Sequence, residues 1–188
     1  MQSTPTSSAR WTTADLELFA GDRTNRYEII DGELFVTRAP HWKHQEICIN
    51  VGTVLKLWSD ETGLGKAVIT PGIIFSDSDN VIPDVVWASN KRLELLLDEA
   101  GHLTGAPELV VEVLSLGEKH EKRDRETKLK LYSVQGVQEY WIVDRREEKV
   151  EVYRREKAVL KLAATLFSQD ELTSSLLPGF NCLVGKLF

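Results

Sequence analysis

The chain has 188 residues, of which 42% are hydrophobic and 28% are charged, with a formal net charge of −6 at pH 7. This balance is typical of one globular domain and excludes a disordered chain. The acidic charge excludes a protein whose whole surface coats nucleic acid, because phosphate binding requires clustered Lys and Arg. No apolar run approaches the ~20 residues of a bilayer span and the first ten residues lack a signal-peptide core, so we expect a cytoplasmic protein without membrane contact.

The first half of the chain predicts a hairpin, a long helix and three strands. We expect a flexible tail over residues 1–11 and a single domain over residues 12–188, beginning with a short capped helix. Asp31-Gly32 between two apolar runs indicates a β-hairpin. Apolar spacing predicts a helix from about residue 40 to 61, ended by Gly63. Apolar runs then predict strands over residues 67–75, 81–87 and 109–114, with a helix near 89–98.

The second half predicts a second long helix followed by β-structure. This helix covers about residues 119–135, and a strand over 139–144 leads to edge strands over 150–153 and 159–167. The core order of helix, three strands, helix and strand (αβββαβ) predicts an α/β (α+β) fold with a mixed sheet flanked by helices on both faces. The hairpin and a C-terminal β-meander are additions to it. Cys48 and Cys182 form no metal or redox spacing, so we expect buried free thiols.

Two acidic residues stand inside apolar runs that predict buried strands. Asp84 lies in Ile82–Val86, and Glu112 lies in Leu109–Leu114. A buried carboxylate costs several kcal/mol unless a cation meets it. Two such carboxylates favour a shared divalent metal, since Mg²⁺ takes one or two carboxylates and keeps waters for a substrate. For either residue alone, a cap at a strand end or a pair with a nearby Lys or Arg is an equal alternative.

The ordered motifs of the chain resemble the PD-(D/E)XK nuclease superfamily, which includes many restriction endonucleases. The superfamily's usual lysine, two residues after the second acid, is replaced by Leu114. One branch of small bacterial proteins labelled restriction endonucleases shares this departure, and its lysine stands on the following helix. The matching motifs are Tyr27–Glu33, Pro83-Asp84, Val110–Ser115, Asp124–Tyr132 and Glu139–Asp144.

The resemblance implies a metal-dependent nuclease acting on DNA. Asp84, Glu112 and the Val113 carbonyl would hold Mg²⁺, with Mn²⁺ as a substitute, and Lys128 would orient the attacking water. Lys130 is the local competitor of Lys128, but helical spacing turns it toward solvent. A further residue is expected from the hairpin or the first helix, where Glu28, Glu33, His44 and Glu46 are the candidates. We assign His44 and Glu33.

Other readings of the same residues stay open. Lys128 lies four residues after Asp124, and without the resemblance an ordinary i, i+4 ion pair is the better explanation. The acidic net charge and Leu114 are also compatible with a catalytically inactive nucleic-acid or protein interaction module on the same fold. The meander over residues 150–167 offers an edge for a two-fold contact, so we expect a homodimer.

Overall fold

The computed structural model describes residues 9–188. The predicted tail over residues 1–11 lies mostly outside the described residues. At the end of this tail, the Trp11 amide donates a hydrogen bond to the Gly32 carbonyl, in the turn of the hairpin, at 2.9 Å. Within the described range, no helix is both long and apolar enough to cross a bilayer.

The first half of the chain forms the predicted hairpin and long helix. A 3₁₀ helix at Thr13–Phe19 precedes strands β1 (Asn25–Ile30) and β2 (Glu33–Arg38). Helix α1 (Trp42–Thr62) ends at Gly63, whose φ of 68° is the left-handed conformation that glycine adopts without strain. The following elements are β3 (Gly65–Ile69), β4 (Ile73–Ser76), β5 (Asp79–Val81), β6 (Val85–Ser89), α2 (Asn90–Leu96) and β7 (Leu109–Val113).

The second half contains the predicted second helix, built from three consecutive segments. These are α3 (Glu118–Lys122), a π-helical segment (Arg123–Lys128) and α4 (Leu129–Gln135). A π-helical turn inside an α-helix is rare and is frequent at functional sites. The remaining elements are β8 (Glu139–Asp144), β9 (Lys149–Glu156), β10 (Val159–Phe167), β11 (Glu171–Thr173), β12 (Asn181–Leu183) and a 3₁₀ helix at Val184–Leu187.

The core is a six-stranded mixed sheet in the order β10-β9-β8-β7-β6-β3, in which only β7 and β8 pair in parallel. Its helices and strands follow the predicted αβββαβ order, and the predicted fold class is confirmed. Helix α1 packs Val51 and Leu55 on one face of the sheet, against Val111. The second helix packs Tyr132 on the other face, against Val110.

Two of the predicted strands are wrong, because each is divided between two sheets. The predicted strand over 67–75 becomes β3 and β4, and the one over 81–87 becomes β5 and β6. Strands β4 and β5 join the hairpin in a four-stranded sheet with the order β2-β1-β5-β4. The breaks fall at Pro71 and Pro83, which have no amide to donate to a ladder. The break between β5 and β6 contains Asp84, which therefore lies where the chain passes from one sheet to the other.

Candidate active site

Asp84 and Glu112 lie opposite each other at the end of the central sheet. Strands β6 and β7 are antiparallel with Val85 paired to Val111, so Asp84, one residue earlier, faces Glu112, one residue later. Opposed residues of an antiparallel pair lie on the same face of a sheet. Each residue is only 2% exposed. The strand register thus brings two buried carboxylates to one place.

Strand β1 brings a third carboxylate to the same place. Glu28 is buried, and its Oε1 atom accepts a hydrogen bond from the Ile82 amide at 3.0 Å. This contact ties the hairpin to the chain segment that carries Asp84. Arg26, two residues earlier and therefore on the same face of β1, directs its guanidinium to Asp84.

Lys128 lies at the centre of the carboxylates. Its Nζ atom is 2.9 Å from Oε1 of Glu28 and 2.9 Å from Oε1 of Glu112. The Asp124 carboxylate is 4.0 Å away, and Lys128 is 1% exposed. The reading of Lys128 as an ordinary exposed pair with Asp124 is therefore wrong. Lys130, in contrast, is exposed as predicted.

The Asp84 carboxylate is held from three directions. Its Oδ2 atom accepts a hydrogen bond from the Val113 amide at 2.9 Å and lies 3.2 Å from Nε2 of His44. Its Oδ1 atom lies 3.1 Å from Nη1 of Arg26. These donors leave Asp84 with one fixed orientation, turned toward the pocket that it lines together with Glu112 and Val113.

A second arginine completes the cluster on the helix side. Arg123 lies 3.4 Å from Asp124 through Nε and 3.7 Å from Glu28 through Nη1. Tyr132 donates its hydroxyl to Oε1 of Glu112 at 2.8 Å, the same oxygen that Lys128 contacts. The Glu112 carboxylate is therefore fixed from the helix side through this one oxygen.

The carboxylates differ in acidity because their surroundings differ. Burial raises the pKa of Asp84, but the hydrogen bond from His44 and the charge of Arg26 outweigh it and lower the pKa to about 2. Burial and the charges of three neighbouring carboxylates raise the pKa of Glu112 to about 8, against the opposing charge of Lys128. Burial lowers the pKa of Lys128, but the surrounding carboxylates raise it overall. Glu112 is therefore the acid that gains most from an added cation.

Four buried carboxylates face three permanent cations in this cluster, so ionisation of all four would leave one negative charge without a protein cation. The carboxylates are those of Glu28, Asp84, Glu112 and Asp124, and the cations are Arg26, Arg123 and Lys128. The pocket above them has a volume of about 240 Å³. Oxygen donors with excess negative charge beside a pocket are a suitable environment for a hard divalent cation.

Cys48 gives His44 a second contact. The Sγ atom of Cys48 lies 3.5 Å from Nδ1 of His44, one helical turn away. His44, Cys48 and Asp84 offer ligand atoms within 4.8 Å of one another. Burial and the charge of Asp84 raise the pKa of the Cys48 thiol, so the thiol stays protonated and is a poor metal ligand. We assign the thiol as the donor to Nδ1, which places the imidazole proton on Nε2, facing Asp84.

The structure brings together most of the residues predicted for the site. Asp84, Glu112, Val113, Lys128 and His44 lie in one cluster, but Glu33 does not. Glu33 begins β2 and is exposed, whereas Glu28 on β1 reaches Lys128 instead. Glu46 is also outside the cluster and lies 2.8 Å from Lys43.

Sequence reasoning missed Arg26 and Arg123 as members of the site. Arg26 stands two residues before Glu28 in β1, so both side chains lie on the same face of the strand. This spacing could have identified Arg26 as a neighbour of the site. No comparable signal marks Arg123, which stands in a run of mixed charges and is directed inward by the π-helical segment.

Comparison with known proteins agrees with this architecture. The family model Uma2, described as "Putative restriction endonuclease", matches residues 14–185. A solved structure described as a "putative nuclease belonging to DUF820" from Anabaena variabilis ATCC 29413 is similar with a TM-score of 0.71 and 19% sequence identity. The similarity covers 92% of this chain and 96% of that chain. No curated protein matches the sequence.

Proposed function

Since the chain belongs to the Uma2 family, we propose that it is a divalent-metal-dependent endonuclease that hydrolyses phosphodiester bonds of DNA. The observation that carries the proposal is the position of Lys128, whose buried ammonium lies 2.9 Å from Glu112, a residue that lines an open pocket together with Asp84. Two carboxylates and a lysine at such a place have the charges that phosphodiester hydrolysis requires.

The residues of the pocket fit a divalent cation. Asp84 and Glu112 supply hard oxygen donors, and the Val113 carbonyl is our third candidate ligand. Burial and three neighbouring carboxylates raise the pKa of Glu112 to about 8, and a divalent cation beside it would favour its ionised form. We propose Mg²⁺, with Mn²⁺ as a substitute. When bound, the cation would polarise the scissile phosphate and lower the pKa of a water molecule.

The protein's own side chains position the reactants in this proposal. Lys128, anchored by Glu28, would place its positive charge beside Glu112, where we propose that the attacking water and the phosphate meet. Arg26 and Arg123 both line the pocket, so their guanidinium groups are placed to contact the phosphate oxygens. His44 and the Val113 amide keep Asp84 oriented while a cation and the substrate exchange.

A cleavage assay with matched variants tests the proposal. Wild-type protein should cut DNA in the presence of Mg²⁺ or Mn²⁺, and Asp84→Asn and Glu112→Gln should not. Glu28→Gln should lose most of the activity because Lys128 loses an anchor. Glu33→Gln is its control, since Glu33 is an exposed acid of the same hairpin, and this variant should cleave at the wild-type rate. Absence of cleavage by the wild type in both metals, or unchanged cleavage by Asp84→Asn, would contradict the proposal.

A second candidate function is an interaction module without catalysis. The observation in its favour is that every carboxylate of the cluster has a protein cation within 4 Å in the described part of the chain. Such a cluster is close to neutral without a metal. Calorimetry separates the two functions: the nuclease should bind Mg²⁺ and lose this binding in Asp84→Ala, whereas an interaction module should bind no metal in either form.

A further inference from the structure

A continuous groove leads away from the candidate active site across the N-terminus of α1. The active-site pocket shares Arg38, Pro40 and Ser115 with a neighbouring depression of about 300 Å³. That depression shares Leu116 and Arg145 with a third one, also of about 300 Å³. The three depressions therefore form one path along the surface, which we call the α1 groove.

The α1 groove is basic although the protein is acidic. Outside the buried cluster, its charged and titratable lining residues are Arg23, Arg38, Lys43, Arg145, Arg146 and Glu148, together with His41 and His120. One carboxylate thus lines the groove with five permanent cations, of which Lys43 is paired with Glu46 and Arg146 with Glu121, in a chain with a net charge of −6. A local concentration of positive charge in an acidic protein attracts an anionic partner to that place.

Several of these cations have no internal counter-charge. Among residues 9–188, no carboxylate lies within 4 Å of the side-chain nitrogens of Arg23, Arg38 or Arg145. The Nε atom of Arg145 is buried and has no hydrogen-bond partner in the same described range. Its Nη1 atom contacts no carboxylate and lies 3.1 Å from the Nδ1 atom of His41. Cations left without carboxylates are available to the oxygens of a ligand.

An exposed aromatic residue stands in the chain between two residues that line the groove. Trp42, the first residue of α1, is 82% exposed, and its neighbours His41 and Lys43 line the second and third depressions. A large exposed indole next to a row of arginines matches the arrangement by which proteins hold unpaired nucleic acid, with cations along the backbone and an aromatic ring under a base.

We propose that the α1 groove binds an unpaired strand of DNA, which enters the active site from the side of Trp42. In this arrangement Arg38 and Arg145 contact successive phosphates and a base stacks on Trp42. The proposal rests on the proposed nuclease function and adds to it the strandedness of the substrate and the direction from which it is held.

The depth of the site supports an unpaired strand over a duplex. Asp84 and Glu112 are 2% exposed and lie beneath the pocket, so a scissile phosphate must descend to them. A single strand bends into such a recess, whereas a duplex is stiff over this length and presents its phosphates on a convex surface. A base available for stacking on Trp42 also exists only where the strand is unpaired.

Binding measurements without catalysis test this inference. Fluorescence anisotropy with a labelled single-stranded oligonucleotide and the corresponding duplex, in EDTA, reports affinity while excluding cleavage. Wild type should bind the single strand more tightly than the duplex. Trp42→Ala should weaken single-strand binding by about 5- to 100-fold, the usual effect of losing one stacked base. Trp42→Phe should restore most of it.

Charge variants test the phosphate contacts separately. Arg38→Gln combined with Arg145→Gln should weaken binding and reduce the slope of log affinity against log salt by about 1.4, or about 0.7 for each lost phosphate contact. Lys66→Gln combined with Lys91→Gln, which removes two exposed lysines from β3 and α2, is the matched control and should leave the slope unchanged. Arg38→Gln alone changes an exposed residue and keeps the test valid if the double variant is unstable.

The outcomes separate this inference from the proposed function. Wild-type protein that cleaves DNA but binds equally well after the Arg38, Arg145 and Trp42 changes overturns the groove and leaves the nuclease intact. Protein that binds a single strand through these residues but cleaves nothing in Mg²⁺ or Mn²⁺ supports the groove and overturns the nuclease. Equal or tighter binding of the duplex by wild type, or no binding of either oligonucleotide, overturns the inference. Selective binding of an acidic polypeptide instead of the oligonucleotides would also overturn it.

Discussion

The Nζ atom of Lys128 lies 2.9 Å from the Oε1 atom of Glu112, and the two side chains are 1% and 3% exposed. Both side chains are shielded from water, so each is costly to ionise without the other. Burial is accordingly the largest cause of the raised pKa of Glu112. The pair therefore holds the second helix to β7 and also places an ammonium group at the proposed centre of catalysis. Structural and catalytic effects of substitutions at this pair must be separated by experiment.

Lys128→Ala should destabilise the protein strongly. The change leaves the buried carboxylates of Glu28 and Glu112 without their shared cation, and breaking a buried pair in this way costs about 3–5 kcal/mol. Chemical denaturation should show the loss. Lys130→Ala, two residues further along the same helix and exposed, should change the free energy of unfolding by less than about 0.5 kcal/mol. Equal stability of the two variants would contradict the ion pairs described for Lys128.

Asp84→Ala should also destabilise the metal-free protein, by about 2–4 kcal/mol, because it leaves the buried Val113 amide and the Arg26 guanidinium without their acceptor. Asp84→Asn should cost less, since its side-chain oxygen can still accept the Val113 hydrogen bond. Thermal unfolding of both variants in EDTA measures the difference. An increase in stability in Asp84→Ala would mean that repulsion between carboxylates dominates the cluster.

The stability of the metal-free protein should fall as the pH rises from about 4.5 to 8 and should level off above 8. The pKa of Glu112 is raised from 4.5 to about 8 in the folded state, so its contribution is full below pH 4.5 and is lost as the pH approaches and passes 8. Each pKa unit corresponds to about 1.4 kcal/mol. The lowered pKa of Asp84 acts in the opposite direction, and its contribution is lost as the pH falls below 3.8 toward 2.

Unfolding of wild type and Glu112→Gln between pH 6 and 9 isolates the Glu112 contribution. The slope attributable to Glu112 should disappear in the variant, whose amide does not titrate. Bound Mg²⁺ should also flatten the wild-type slope, because a cation favours the ionised carboxylate. An identical slope in wild type and Glu112→Gln would show that Glu112 is already ionised at pH 6.

A homodimer remains our prediction for the assembly of the protein. Strand β10 is one edge of the central sheet and exposes Leu162 and Phe167. Unpaired edge strands with apolar side chains favour pairing with a second chain. Light scattering at tens of micromolar, well above ordinary dimer dissociation constants, should give twice the monomer mass of 21.3 kDa. Leu162→Lys should shift this mass toward the monomer, and a wild-type monomer at that concentration would count against the prediction.

Local patterns in the sequence were sufficient for the order of the core elements. The Asp31-Gly32 turn, the apolar spacing before Gly63 and the apolar runs at β6, β7 and β8 are short-range signals, and each of them corresponds to an observed element. The division of two strands between two sheets was not predicted. Apolar runs continue on both sides of Pro71 and Pro83 in the sequence, and the sheet that each half joins depends on distant partners: β4 and β5 pair with each other beside β1, and β3 and β6 pair with each other beside β7.

By itself, the sequence determined the fold class and the presence of two acids in apolar runs together with a lysine on the next helix, because these depend on local hydrophobic periodicity and on ordered motifs. Only the tertiary structure decided that Glu28 and not Glu33 reaches Lys128. Both acids belong to the same hairpin. The pairing of β1 with β5 brings Glu28 to the Ile82 amide, beside the segment that carries Asp84, whereas Glu33 is exposed to solvent. Local patterns specify which way a residue faces, but contacts between distant segments determine what it meets.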